Sequence, residues 1–150
     1  MDENDGIIRV QESIKMNVER VIFPLPGLFK SPFNTLQEWL LELCNDEPDT
    51  NSVAEYCLLY HSQSEQSIVG FVGHSYSTVG DVVTRKISFT PKHMFFPLPK
   101  REYRKLSYKD ASEKFYKELK QFTKSGDFHN SFMSKNIPVN TNFGGQIWPE

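Results

Sequence analysis

Three apolar segments joined by short polar links constrain the fold of this chain more than any other feature. The segments are 55–62, which is rich in Tyr and Leu, then 68–77 and 82–90. Their composition and length are typical of β-strands. The links, 63–66 and 79–81, are short, so each segment is expected to pair antiparallel with the next. The sequence therefore predicts an antiparallel sheet built around these three strands.

Glycines and side-chain alternation add detail to that sheet. Gly70 and Gly73 lie inside the second segment and predict a bulge or a strong twist there. In the third segment Val83, Ile87 and Phe89 fall at one parity, whereas polar residues fall at the other. These three side chains are expected to share one face of the sheet, with the opposite face wetter.

Two helices are predicted to pack against the sheet. Apolar residues at helical spacing predict the first helix over 31–44, with Ser31 or Asn34 as its N-cap. The second is predicted over 107–124, where Ser107 begins a capping-box pattern. The predicted fold class is α+β, an antiparallel sheet of about four to five strands with two main helices on one face.

The length of 150 residues fits a single domain over 1–150. Alternating apolar residues over 8–22 predict one or two further half-buried strands. Met16 is an alternative start, in which case residues 1–15 would form a dispensable N-terminal arm.

Composition favours a cytoplasmic protein. The sequence contains no apolar run of the length that crosses a membrane, and its acidic beginning does not have the pattern of a secretory signal. Its two cysteines, Cys44 and Cys57, lie in apolar segments and suit a reducing compartment.

Charge is segregated along the chain, although the formal net charge is only −2. Residues 1–84 carry 4 basic and 13 acidic side chains, whereas residues 85–124 carry 12 basic and 4 acidic ones. Either the two parts neutralise each other across the fold, or the surface is bipolar and steers a charged partner. The mildly acidic isoelectric point makes a dedicated nucleic-acid-binding protein the weaker interpretation.

Motifs for catalysis, cofactors and metals are lacking in the sequence. The segment 73–77, Gly-His-Ser-Tyr-Ser, lacks the second glycine of a nucleophile elbow. The spacing of Cys44, Cys57, His61 and His74 matches no standard zinc site. We therefore predict no cofactor, no metal and no catalytic residue.

The best cluster for acid–base chemistry is His74 beside Tyr76, with Lys86 on the next strand. Such a cluster is more typical of polar side chains on the wet face of a sheet. A small hydrolase or nuclease built around His74 is the third interpretation.

Exposed aromatic residues and an acidic loop at Asp46, Glu47 and Asp49 accompany this lack of catalytic motifs. In these whole-chain properties the sequence resembles the cytosolic immunity proteins of bacterial polymorphic toxin and contact-dependent inhibition systems. The resemblance implies a protein that binds a cognate protein toxin and blocks its active site or substrate surface. Many such toxins are nucleases, so an acidic patch would mimic phosphate charge.

We predict that this patch is formed by Asp46, Glu47, Asp49 and Glu55, with Tyr76 and Trp148 as aromatic anchors.

The reverse polarity stays open, because Arg101, Arg104 and Lys105 could instead hold an acidic toxin. A nucleic-acid-binding or regulatory module that uses the basic segment 85–124 is the second interpretation.

Overall fold

The computed structural model describes residues 15–25, 29–48, 53–63 and 66–150. It has an α+β fold with one mixed sheet of seven strands. The strands are β1 (Lys15–Val18), β2 (Glu55–His61), β3 (Ile68–Val79), β4 (Val82–Phe89), β5 (Phe95–Pro97), β6 (Val139–Thr141) and β7 (Gln146–Trp148). The helices are α1 (Leu36–Cys44), α2 (Lys100–Tyr103), α3 (Tyr108–Phe122) and α4 (Gly126–His129), followed by a 3₁₀ turn at Phe132–Ser134.

The strand order is β1-β4-β3-β2-β6-β7. Strand β5 pairs with the first residues of β3, whereas β4 pairs with the later ones. The pairs β2–β3 and β3–β4 are antiparallel, which confirms the three central strands. The prediction of a wholly antiparallel sheet of four to five strands was wrong, because β1–β4 and β2–β6 are parallel. Parallel neighbours need long connections, and both added strands lie far along the chain from their partners.

A bulge divides the β3–β4 pair. Gly73 pairs with Phe89, whereas the next residue, His74, pairs with Ile87, so Ser88 has no partner in the ladder. A Cβ atom on Gly73 would lie 3.1 Å from the Cβ of Phe89 and 3.1 Å from a methyl carbon of Val53, so only glycine fits without displacement. The bulge predicted at these glycines is confirmed. The prediction that Ile87 and Phe89 share a face was wrong, because the bulge shifts the register between them.

The main core lies between the sheet and the helices, on what we call the helix face. Both longer helices contribute to it, as predicted. Its largest fully buried side chains include Trp39, Phe71, Phe96, Phe115 and Phe128.

The first helix begins later than the sequence predicted. Helix α1 begins at Leu36, with Thr35 as N-cap in a capping box with Glu38. Ser31 instead accepts a hydrogen bond from the backbone of Phe33 in a local turn, so it caps no helix. Helix α3 is capped by Ser107, as expected.

The other side of the sheet, the open face, carries a smaller apolar cluster. Cys57, Leu59 and Val72 form its buried part. The segment that follows β1 crosses this cluster with Val21 and Phe23, and the Phe23 ring stacks on His61 at 4.6 Å between centroids. The segment therefore covers only part of the open face.

The N-terminal predictions are tested only in part. Of the half-buried strands expected over 8–22, the structure shows β1 at Lys15–Val18, and its apolar Met16 and Val18 are exposed rather than half-buried. Residues 1–14 lie outside the described residues. The alternative start at Met16 and the dispensable arm therefore stay predictions. No helix in the described part of the chain has the length and apolar character needed to cross a membrane.

Candidate functional site

A cleft of about 470 Å³ opens between the segment after β1 and the open face of the sheet. Its apolar lining includes Cys57 and Leu59 from β2. His74 and Arg85 also line it, as does His61 from the last position of β2. The open-face cleft thus combines an apolar floor with titratable side chains.

Four strands bring polar side chains together at this cleft. Glu55 lies opposite His74 in the β2–β3 pair, and Tyr76 lies opposite Arg85 in the β3–β4 pair. Asn140 lies beside β2 in the parallel β2–β6 pair. Because side chains alternate along a strand, this register directs all five to the open face. We call Glu55, His74, Tyr76, Arg85 and Asn140 the polar cluster.

Glu55 is the centre of the polar cluster and is only 7% exposed. The Tyr76 hydroxyl donates to one carboxylate oxygen, and the Asn140 side-chain amide donates to the other. Arg85 Nε lies 3.1 Å from Glu55 Oε1. The Arg85 Nε–H group does not point at a hydrogen-bond acceptor among the described residues, so its contact with Glu55 is an ion pair without a hydrogen bond.

The pKa of Glu55 is lowered by these partners. Burial by itself would raise it, but the hydrogen bonds from Tyr76 and Asn140 and the charge of Arg85 outweigh burial. The carboxylate is therefore ionised at neutral pH, which leaves a compensated negative charge inside the open face.

His74 is held in one protonation state. Burial and the nearby Arg85 charge lower its pKa, so the ring is neutral at neutral pH. Arg85 Nη2 lies 3.2 Å from His74 Nδ1. Arginine is only a donor, so Nδ1 accepts and the ring proton is assigned to Nε2.

The polar cluster does not activate the neighbouring thiol of Cys57. Burial raises the pKa of the neighbouring Cys57 thiol to about 11, so it is protonated at neutral pH. Both oxygens of Glu55 accept hydrogen bonds from side chains. Such a satisfied network is rigid, and it can recognise a polar group that enters the cleft beside Arg85.

Exposed apolar side chains surround this site. Val18 of β1 aligns with Arg85, which aligns with Tyr76, so one row crosses the open face. Val18 is 44% exposed and Tyr76 is 47% exposed. Ile22, in the segment that borders the cleft, is 88% exposed. Single exposed apolar side chains are common on protein surfaces, so these residues indicate a binding surface only together with the cleft beside them.

Sequence reasoning identified part of this site. Glu55, His74 and Tyr76 were singled out, and the structure brings all three together. Placing Lys86 with His74 was wrong, because Lys86 pairs with Ser75 and so projects from the opposite face. Arg85 takes its place. It was missed because the register of β4 depends on the bulge.

The other predicted partner-binding residues lie elsewhere. Asp46 accepts a hydrogen bond from the backbone of Lys92, Glu47 is exposed, and Asp49 lies outside the described residues. Glu55 is buried in the polar cluster rather than displayed with Glu47. Trp148 belongs to β7 and packs edge-on against Phe128 on the helix face, 5.1 Å between centroids. Tyr76 and Trp148 thus lie on opposite faces, and their contact with a partner stays a prediction.

Among the described residues, no group of three or more His, Cys, Asp and Glu side chains is placed to hold a metal ion. No protein-family model matches the chain, and no curated protein or solved structure matches it either.

Proposed function

We propose that the chain is a binding protein that neutralises a cognate protein toxin by covering its active site or substrate surface. The observation that carries the proposal is the open-face cleft, lined by the exposed Val18, together with the exposed Tyr76 beside Arg85. The toxin as partner follows from the resemblance to bacterial immunity proteins.

The geometry of this face suits a protein partner. Strong interfaces usually depend on a few anchors beside a recess, surrounded by contacts that exclude water. Tyr76 fits the role of an anchor because its hydroxyl is bound to Glu55 while much of its ring stays exposed. A ring that is already fixed loses little conformational entropy on binding.

The acidic loop contributes at longer range in this proposal. Glu47 is exposed, and Asp49 follows it closely in the sequence. Negative charge near an interface accelerates association with a basic partner, such as the cleft of a nuclease, and this effect weakens with salt. The loop would therefore steer the toxin, while the open face would retain it.

The decisive experiment uses the C-terminal domain of the protein encoded by the gene beside this one, where the proposal expects the toxin. We expect the purified full chain to bind that domain in calorimetry and to protect cells that produce it. Tyr76→Ala should weaken binding by about 10- to 100-fold, the usual effect of losing an aromatic anchor. Tyr108→Ala is the matched control, because Tyr108 is similarly exposed, at 56%, but belongs to α3.

Two results would contradict the proposal. One is that the chain neither binds the neighbouring toxin domain nor protects against it. The other is that Tyr76→Ala binds as tightly as the unmodified chain, or that Tyr108→Ala loses as much affinity, which would place the interface elsewhere.

A small hydrolase or nuclease is the second candidate, because Glu55, His74 and Arg85 converge beside the cleft. General acid–base catalysis needs groups that can reach the substrate. The hydrogen bonds that occupy Glu55 and the burial of His74 argue against such access. Turnover of an oligoribonucleotide that His74→Gln abolishes would favour this candidate over the inhibitor.

A further inference from the structure

A second recess lies away from the open-face cleft, where the chain leaves β2. It has a volume of about 100 Å³ and lies between the residues after β2 and the segment that contains α2 and the start of α3. Its lining includes the hydroxyl groups of Ser62, Ser67 and Tyr108 together with the cationic side chains of Lys100 and Arg104. The recess is therefore rich in hydrogen-bond donors, and its size suits a phosphate group but not a whole nucleoside.

Positive charge is concentrated in the segment 100–109, of which Lys100 and Arg104 line the recess. The exposed cations are Lys100, Arg101, Arg104, Lys105 and Lys109. None of them forms a salt bridge with another residue in the described ranges.

The nearby acidic groups do not cancel this charge. Glu102 lies 3.7 Å from Lys114, which also contacts Glu118, so it is compensated by another lysine. Asp110 is in the first turn of α3. Residues 100–110 contain five cationic and two acidic side chains, so the segment has a positive net charge.

Tyr108 adds an aromatic surface beside these cations. Its ring is 56% exposed, and it contacts the buried Tyr60 edge-on, with 5.5 Å between centroids. The contact orients the ring while more than half of the residue stays accessible. Rings of this kind provide stacking surfaces for bases in proteins that bind single strands.

We propose that this surface binds single-stranded nucleic acid, with one phosphate in the recess beside Lys100 and Arg104 and a base stacked on Tyr108. A basic segment explains attraction to any polyanion, but the exposed ring beside the recess favours a strand with unpaired bases over a phosphopeptide. The proposal is independent of the toxin-binding function, because the residues involved are not those of the open-face cleft.

The test measures binding of the full chain to a fluorescent single-stranded oligouridylate over a range of salt concentrations. Affinity should fall as salt rises, because binding releases counterions. Lys100→Gln/Arg104→Gln should lower the affinity and reduce the slope of log K against log salt by about 1.4, since each contact to a single strand contributes about 0.7. Tyr108→Leu should lower the affinity about 5- to 100-fold with the slope unchanged, as expected for a lost stacking contact.

The matched control is Lys117→Gln/Lys124→Gln, which removes the same charge from exposed positions along α3 and just after it. This control should keep most of the affinity. No binding at low salt, or an equal loss in the control, would overturn the proposal. Binding of a phosphopeptide or of inorganic phosphate without binding of the oligonucleotide would also overturn it. None of these results bears on toxin binding, which is measured with a different ligand and different variants.

Discussion

At the scale of single residues, Glu55 determines the character of the open face. A buried carboxylate is costly unless it is paired and hydrogen-bonded, and this one has Arg85, Tyr76 and Asn140 as partners. Removing the charge would leave Arg85 without its counterion, although that guanidinium is partly exposed and water would compensate for some of the loss. The network therefore explains why Tyr76 and Arg85 are held in place at a face that is open to a partner.

The lowered pKa of His74 makes the stability of the fold depend on pH. Its pKa is lowered in the folded chain by burial and by Arg85, so the unfolded chain takes up the proton first. Stability should therefore decrease as pH falls below about 6.5, the usual value for an unfolded histidine. The lowered pKa of Glu55 also makes stability decrease as pH falls, but this effect begins only below about pH 4.3.

The free energy of unfolding should be measured by urea denaturation between about pH 4.3 and about pH 6.5. In this range the effect of His74 is separated from that of Glu55. His74→Asn keeps a hydrogen-bond acceptor close to the position of Nδ1 and should remove this slope. His129→Asn, at an exposed histidine, should keep it. An unchanged slope in His74→Asn would mean that another group is responsible.

At the scale of secondary-structure elements, local patterns predicted the long elements well. Strands β2, β3 and β4 and helix α3 carry enough apolar periodicity for their type and position to be read directly. The short strand β6 could not be placed, and the parallel pairing of β1 with β4 could not be predicted, since three or four residues hold little periodic signal and pair with strands distant in sequence. The start of α1 depended on which of several polar residues caps it, and Thr35 has the favourable partner in Glu38.

The candidate site could be predicted from the sequence only in part, for the same reason. Glu55 was identified as part of an acidic cluster and Tyr76 as an aromatic residue placed on a strand. Their contact could not be predicted, since it follows from pairing between strands. Arg85 could not be identified from the sequence, because the bulge at Gly73 determines which β4 side chains face the cleft.

The bulge gives a prediction at this scale. Gly73→Ala should destabilise the fold by about 1–3 kcal/mol, because the added methyl group would press on Phe89 and Val53 at 3.1 Å. Gly126→Ala is the matched control, since a Cβ at that position meets nothing within 4 Å. Urea denaturation of both variants measures the difference. Equal stability of the two variants would show that the sheet accommodates a side chain at the bulge.

At the scale of the whole molecule, the two proposed binding surfaces draw on different parts of the chain. Val18, Glu55 and Tyr76 lie on the open face, whereas Lys100 and Arg104 belong to the segment between β5 and α3. The sheet and its main core connect them. Under the two proposals the charge asymmetry along the sequence supplies separate sites, although Arg85 also pairs with Glu55 between the basic and acidic parts of the chain.

Independence of the two surfaces is therefore expected in binding experiments. The triple variant Tyr76→Ala/Lys100→Gln/Arg104→Gln should show the toxin affinity of Tyr76→Ala and the oligonucleotide affinity of the double variant, within about 0.5 kcal/mol. A saturating oligonucleotide that the isolated toxin domain does not itself bind should leave toxin affinity unchanged, and by linkage the reverse should hold equally. Mutual exclusion of the two ligands would instead mean that one face serves both, because a shared surface makes each ligand weaken the other by the same factor.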